Sequence, residues 1–309
     1  MATTKGRAPK TPQAPRPKQR PKGRIWLWVT AALGAAVFTV AYFAATGGGG
    51  ATGHATASVG LPNGTHYHSL LVSPANPNEL FLGTHEGIYR STDGGGHWAS
   101  YRLAGQDAMS LARPPGSRTV WMAGHNVFAK SLDGGRSWHA LAPDTLPSLD
   151  IHGFAVDPLR PSTVYAGVAG IGLFRSVDGG SRFAEVSREI GGSVFALAVT
   201  PSGELLAGDL ERGLVASRDG GKTWRDTLDA RLAGLAINPS NAKVILATGP
   251  GILRSKDGGK HWSEVLRIDA GAGPVAWSLS NPKLAYVVGF DDTLYRSTSS
   301  GASWAPVRR

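Results

Sequence analysis

The feature that most constrains this chain is an eight-residue block, Ser-x-Asp-Gly-Gly-x-x-Trp. It is complete four times, at Ser91 to Trp98, Ser131 to Trp138, Ser217 to Trp224 and Ser255 to Trp262. Two further copies are altered: Ser176 to Phe183 ends in Phe, and Ser297 to Trp304 carries Ser299 for the Asp and Ser300 for the first Gly. The starting serines are 40, 45, 41, 38 and 42 residues apart. A period of this length marks a repeat architecture in which each unit buries its apolar face against its neighbours. With 42 glycines and 20 prolines in 309 residues, helices would be interrupted throughout, so the units must be short strands joined by tight turns.

Each unit reads the same way. An apolar run closing on Pro (His68 to Pro74, His152 to Pro158, Phe195 to Pro201, Ala233 to Pro239) precedes a second run such as Glu79 to Gly83 or Thr163 to Gly167. A third run (Gly87 to Arg90, Gly172 to Arg175, Gly251 to Arg254) leads into the block, and a fourth starts at its Trp. Four short strands per unit make a propeller blade. Within the block, the Asp can accept backbone N–H groups of its own turn, the glycines supply positive φ, and the Trp ring can bury between blades. The expected fold is all-β: a six-bladed β-propeller with four-stranded antiparallel blades over residues 63–309, closed into a ring that leaves no free sheet edge. Residues 55–62 either add a strand that latches this ring or do not.

The net charge of +10 belongs mainly to one end of the chain. Residues 1–24 hold eight basic and no acidic side chains, which leaves 24 basic against 22 acidic in the remainder. Rich in Pro, this stretch has little to bury and reads as a disordered cytoplasmic tail rather than a nucleic-acid arm. Residues 25–46 carry no charge and as a helix would span about 33 Å, enough to cross a bilayer. The helix would be a signal anchor, with Trp26 and Trp28 at the basic end and Tyr42 at the other. A cleaved signal peptide ending near Phe43-Ala44-Ala45 is the competing reading, but the run exceeds an h-region of about 7–15 residues. Residues 47–62 form a Gly/Ala-rich linker, and the propeller is expected outside the cytoplasm as a monomer on a single-pass, N-in anchor. The absence of Cys excludes disulfides and an N-terminal lipid-modified Cys.

The blocks resemble the Asp-box, or BNR, repeat of bacterial sialidases, xyloglucan-cleaving propeller hydrolases, sortilin-type receptor domains and photosystem II assembly-factor propellers. The resemblance covers about 240 of 309 residues. It implies that the block lies on the turn between strands 3 and 4, away from the ligand face, and that Asp93, Asp133, Asp178, Asp219 and Asp257 are structural. It implies little about chemistry, because these families share the turn and not the reaction.

Function then belongs on the opposite face, at the start of each first strand and in the loops between strands 2 and 3. Alignment puts His66, Asp107, Asp150, Ser193, Arg231 and Pro274 at one level, and His68, Met109, His152, Phe195, Ala233 and Ala276 at the next. Two-residue periodicity sends both levels to the same side of their strands, around the central channel. The loops add His85 and Glu86, His125 and Asn126, Asp209, Glu211 and Arg212, and Asp291 and Asp292. Candidate ligand-binding residues are therefore His66, His68, His85, His125, His152 and Arg231. A divalent metal at the channel mouth would draw on His66, His68, Asp150 and His152, with Asp107 beside them. The plainer reading is a solvated polar rim whose histidines hydrogen-bond to neighbouring loops.

For an enzyme, Asp107, Asp150 and Glu86 are the candidate catalytic acids, since glycoside hydrolysis needs two carboxyl groups about 5–9.5 Å apart. The family pattern departs here. The Phe/Tyr-Arg-Ile-Pro motif of sialidases is absent, and only Arg212, Arg231 and Arg188 lie near this face. Xyloglucan hydrolases place substrate between two propellers, whereas this chain supplies one. The expectation is a membrane-anchored binding or scaffold module for an extracytoplasmic protein or glycan, without nucleic acid. A glycoside-hydrolase-like enzyme is the alternative.

Overall fold

The computed structural model describes residues 58–190 and 194–307. The basic tail, the apolar segment 25–46, most of the linker and Ser193 lie outside them. Among the described residues six antiparallel sheets follow one another along the chain. The first contains β1 (Ser58–Val59), β2 (Tyr67–Val72), β3 (Leu80–Thr84), β4 (Gly87–Ser91) and β5 (His97–Arg102). The second is β6 (Ser110–Ala112), β7 (Val120–Gly124), β8 (Val127–Ser131) and β9 (His139–Ala140). The third is β10 (Ile151–Val156), β11 (Val164–Val168), β12 (Gly172–Ser176) and β13 (Ala184–Ser187). Blades 4 and 5 comprise β14 (Val194–Val199), β15 (Leu205–Asp209), β16 (Gly213–Ser217) and β17 (Arg225–Leu228), then β18 (Gly234–Ile237), β19 (Ile245–Thr248), β20 (Gly251–Ser255) and β21 (Ser263–Arg267). Blade 6 is β22 (Ala272–Trp277), β23 (Ala285–Gly289), β24 (Leu294–Ser297) and β25 (Ala305–Pro306). The fold is a six-bladed, four-stranded antiparallel β-propeller.

Second strands such as β7, β11, β15 and β23 are buried at every position. Each is covered on both faces by neighbouring blades, so these strands read as continuous apolar runs instead of alternating ones. The fourth strands lie at the periphery and are largely exposed.

The block makes the turn between the third and fourth strands. Ser131 Oγ donates to Asp133 Oδ1 at 2.8 Å and accepts from the Gly135 N–H at 2.8 Å. Asp133 Oδ1 also accepts from the backbone of Arg136 and Ser137, and Oδ2 accepts from Ser137 Oγ at 2.6 Å. The Trp138 indole N–H donates to the carbonyl of Gly135. The same set recurs around Asp219 and Asp257. In the sixth unit Ser299 Oγ takes the aspartate's place as acceptor of the Ser303 N–H, and Ser300 sits at φ 55° where the other units have glycine.

Blade 6 is completed by its own β25, so the ring closes by side-chain packing rather than by strand exchange. Leu61, Tyr67, Leu70 and Leu82 form one apolar cluster with Ala276, Leu284, Tyr286, Val288 and Leu294. The Tyr67 hydroxyl donates to Asp292 Oδ1 at 2.9 Å and lies 2.8 Å from the carbonyl of Pro62. Strand β1 pairs with the outer strand β5, Ser58 opposite Trp98 and Val59 opposite His97. The sheet thus takes up residues that the sequence assigns to the linker, and it does so at the rim of blade 1.

Candidate functional site

The joint between blades explains how the channel-mouth residues meet. Glycine stands near the end of the second strand at Gly83 and ends it at Gly124, and the chain entering a first strand passes directly over each, that of the next blade over Gly83 and that of its own blade over Gly124. A Cβ on Gly124 would overlap the carbonyl of Asp107, and one on Gly83 would meet Ser69 and the carbonyl of Ala108. The Ala108 N–H donates to the Thr84 carbonyl, and the Ala169 N–H to the Asp150 carbonyl, each at 2.9 Å. Gly124 also bridges to Asp150. The loop after each second strand therefore lies beside the start of an adjacent first strand, which brings His85 to Asp107 and His125 to Asp150.

Two groups result, each with ligand-type atoms within 4.8 Å of one another: His68, His85 and Asp107, and His125, Asp150 and His152. In the first, His85 Nδ1 hydrogen-bonds Asp107 Oδ2 at 2.6 Å, and His68 Nε2 is 3.8 Å from Asp107 Oδ1. In the second, Asp150 Oδ1 lies 3.1 Å from His152 Nε2 and 3.7 Å from His125 Nδ1. His125 Nε2 stands 4.0 Å from Asp107 Oδ2 and links the groups. Four atoms, His68 Nε2, Asp107 Oδ1, Asp150 Oδ1 and His152 Nε2, are buried without an aligned hydrogen-bond partner.

The electrostatics follow from this packing. Burial, reinforced by His85, pushes His68 down to about 4 against the pull of Asp107. Burial also lowers His152, opposed by Asp150. His85 is raised, chiefly by its hydrogen bond to Asp107. Burial pushes the Asp107 carboxyl upward, but the His85 hydrogen bond and the surrounding imidazoles outweigh it and leave the group below its ordinary value. The shifts of His68 and His152 favour the neutral imidazole, and that of Asp107 the ionised carboxylate, whereas the raised His85 favours the charged imidazole beside it.

The other residues singled out from sequence fall elsewhere. His66 is exposed just before β2, its ring 5.2 Å from that of His85, and belongs to neither group. The set His66, His68, Asp150 and His152 is thus split between two joints, with His85 and His125 taking the intervening places. Glu86 turns away and accepts from the Tyr89 hydroxyl at 3.0 Å. Arg231 is exposed and makes no ion pair among the described residues. Arg188 pairs with Glu185, and Arg212 with Glu189 and Asp226, so neither offers a free guanidinium for a substrate carboxylate.

The channel mouth beside these groups is largely apolar. A cavity of about 570 Å³ opens at the channel mouth, lined by His66 and His68 on one side and by Phe195, Leu210, Leu232 and Phe290 on the other. Leu210 and Phe290 remain 39% and 48% exposed at its rim. Sequence reasoning passed over both, although each is a large apolar residue set among charged loop residues, in Asp209-Leu210-Glu211-Arg212 and Phe290-Asp291-Asp292.

No family model and no curated protein matches this sequence. Solved structures match the fold. A structure described as YCF48 bound to D1 peptide is 18% identical, with a TM-score of 0.53 over 82% of this chain and 84% of that one. The nidogen/laminin complex gives 12% identity and a TM-score of 0.61, covering 75% of this chain and 93% of the matched one. The GH74 xyloglucanase of Xanthomonas campestris gives 17% identity and a TM-score of 0.58 over 81% of this chain, which spans only 46% of that enzyme. These likenesses place the chain among β-propellers whose members include both enzymes and components of protein complexes.

Proposed function

We propose that this chain is an Asp-box propeller acting as a binding module, and that the channel mouth takes hold of a protein segment by seating an apolar side chain in the cavity. One observation carries this reading: the cavity of about 570 Å³ with Leu210 and Phe290 exposed at its rim. Exposed apolar groups beside a concave site mark an interaction surface, because leaving them in water is unfavourable until a partner covers them. The peptide and laminin complexes of propellers with this fold support the reading by analogy. The segment 25–46 and its basic flank support an extracytoplasmic location on a single-pass anchor, with the propeller as the presented part. The geometry of the block, repeated around Asp133, Asp219 and Asp257, supports the Asp-box assignment.

The hydrolase alternative needs a carboxyl group held protonated near neutral pH. Asp107 is instead kept below its ordinary value by His85, and Glu86 is turned to Tyr89, which weighs against an acid–base pair here.

The reading is tested by screening a displayed peptide library against the full chain and measuring hits against two variants. Phe290→Asp is expected to weaken binding at least about tenfold, as loss of an apolar anchor does. Leu159→Asp, in the loop joining the far ends of β10 and β11, is expected to leave it unchanged. Equal binding by all three proteins would sink the proposal.

A further inference from the structure

We propose that His125 Nδ1, Asp150 Oδ1 and His152 Nε2 form a binding site for a divalent cation of the zinc class, with Asp107 and His85 as its outer supports. Two imidazoles and one carboxylate are a donor set that zinc accepts, with a fourth position left for water or an incoming ligand. Ligands about 2.0–2.2 Å from a tetrahedral zinc lie roughly 3.3–3.5 Å from each other. The two separations to Asp150 Oδ1, 3.1 and 3.7 Å, bracket that value. Small side-chain shifts would therefore complete the site.

Two further observations point to a ligand. Asp150 Oδ1 and His152 Nε2 are buried and lack an aligned hydrogen-bond partner although they face each other. Leaving such atoms unsatisfied is unfavourable, and a cation between them removes the deficit. The second is the surrounding shell. With Nδ1 of His125 directed at Asp150, its Nε2 faces Asp107 Oδ2 at 4.0 Å, and Asp107 is itself held by His85 at 2.6 Å. A carboxylate this close to the other ring nitrogen of a ligating histidine would orient the ring once a small shift brings the two into hydrogen-bond distance. The exposed pairs His97 with Asp93 and His261 with Asp257 have the same residue types but no third ligand, and they serve as internal controls. The site deepens the proposed binding role and rests on it in one respect: the open coordination position would take an oxygen donor from the bound segment.

The experiment uses the full chain in detergent, purified without a histidine tag, stripped with chelator and titrated with Zn²⁺ by calorimetry. The visible spectrum of added Co²⁺ reports the ligand set, and circular dichroism checks that every variant is folded. The expected result is one ion per chain, lost in Asp150→Asn and in His152→Gln, weakened about 10- to 100-fold in Asp107→Asn, and unchanged in His261→Gln. No stoichiometric Zn²⁺ or Co²⁺ in the folded protein overturns the proposal, as does binding that survives Asp150→Asn. Binding lost on His68→Gln but retained in Asp150→Asn moves the ion to the neighbouring group and overturns it equally. Phe290→Asp is expected to keep the ion. An occupied site without peptide binding would therefore count against the functional reading alone, and peptide binding with an empty site against the metal alone.

Discussion

The imidazole of His125 stacks on that of His152, with ring centroids 4.8 Å apart and planes 24° from parallel. The two rings come from adjacent blades, so their contact depends on how closely the blades approach at the joint. Gly124, one residue before His125, bridges to Asp150 of blade 3 and packs tightly under the Asp107 carbonyl of its own blade. Gly124→Ala is expected to push the Asp107 backbone outward, cost about 1–3 kcal/mol as overpacked sites do, and weaken Zn²⁺ binding without touching a ligand. Urea unfolding and calorimetry measure both effects. Stability within about 0.5 kcal/mol of wild type would show that the joint gives way without cost.

Ring closure makes a second prediction. Leu61 is 3% exposed in the cluster joining blades 1 and 6, and the Tyr67 to Asp292 hydrogen bond crosses the same seam. Leu61→Ala is expected to cost about 2–5 kcal/mol. Tyr67→Phe should cost about 1 kcal/mol. If Leu61→Ala unfolds at the wild-type urea midpoint, the segment before blade 1 does not hold the ring.

Acid should loosen the turns. Burial pushes the Asp93 carboxyl upward, but its contacts with His97 and Ser91 outweigh this and hold it at about 2. Asp133 and Asp219 are lowered by the hydroxyls of Ser137 and Thr223, and Asp257 by the backbone N–H of His261. Folded values lie below unfolded ones, so the unfolded chain binds more protons in the interval. The stabilisation is present above about pH 4 and is lost as pH falls towards 2. Urea midpoints between about pH 6 and pH 2.5 are expected to fall steeply for the wild type and less steeply for Asp133→Asn with Asp219→Asn. Parallel slopes would contradict this.

The sixth turn offers the reverse change. Ser299 Oγ accepts from the Ser303 N–H at 2.9 Å and lies 2.8 Å from Ser303 Oγ, the partners that an aspartate has in blade 2. Ser299→Asp should add charge-assisted hydrogen bonds at an exposed position and raise stability by up to about 1 kcal/mol. A lower thermal midpoint would mean that the turn is not limited by its acceptor.

The blades could be read from sequence because their turns are local. Ser131, Asp133 and Gly135 make their contacts within a few residues, so spacing alone reveals the unit. The first-strand histidines and aspartates could likewise be assigned to one face, since alternation along a strand is local too. Their partners could not be assigned. The pairing of His85 with Asp107 and of His125 with Asp150 depends on the stagger between adjacent blades, which strand-by-strand alignment does not contain. Leu210 and Phe290 escaped notice for a different reason: a single apolar residue in a polar loop carries no period. Strand β1 was equally hidden, because Ser58 and Val59 find their pairing partners at the far edge of blade 1.

Glycine stands near the end of every second strand, one residue before the end at Gly83, Gly167 and Gly208, at the end at Gly124 and Gly289, and directly after it at Gly249. Each joint thus has a glycine close to it, and the chemistry at the joint depends on the side chains placed around it. Histidine and aspartate occupy two neighbouring joints, while apolar groups line the opposite arc. A ligand that carries one oxygen donor and one apolar group would meet these arcs in a single orientation, so the face has direction although the scaffold repeats.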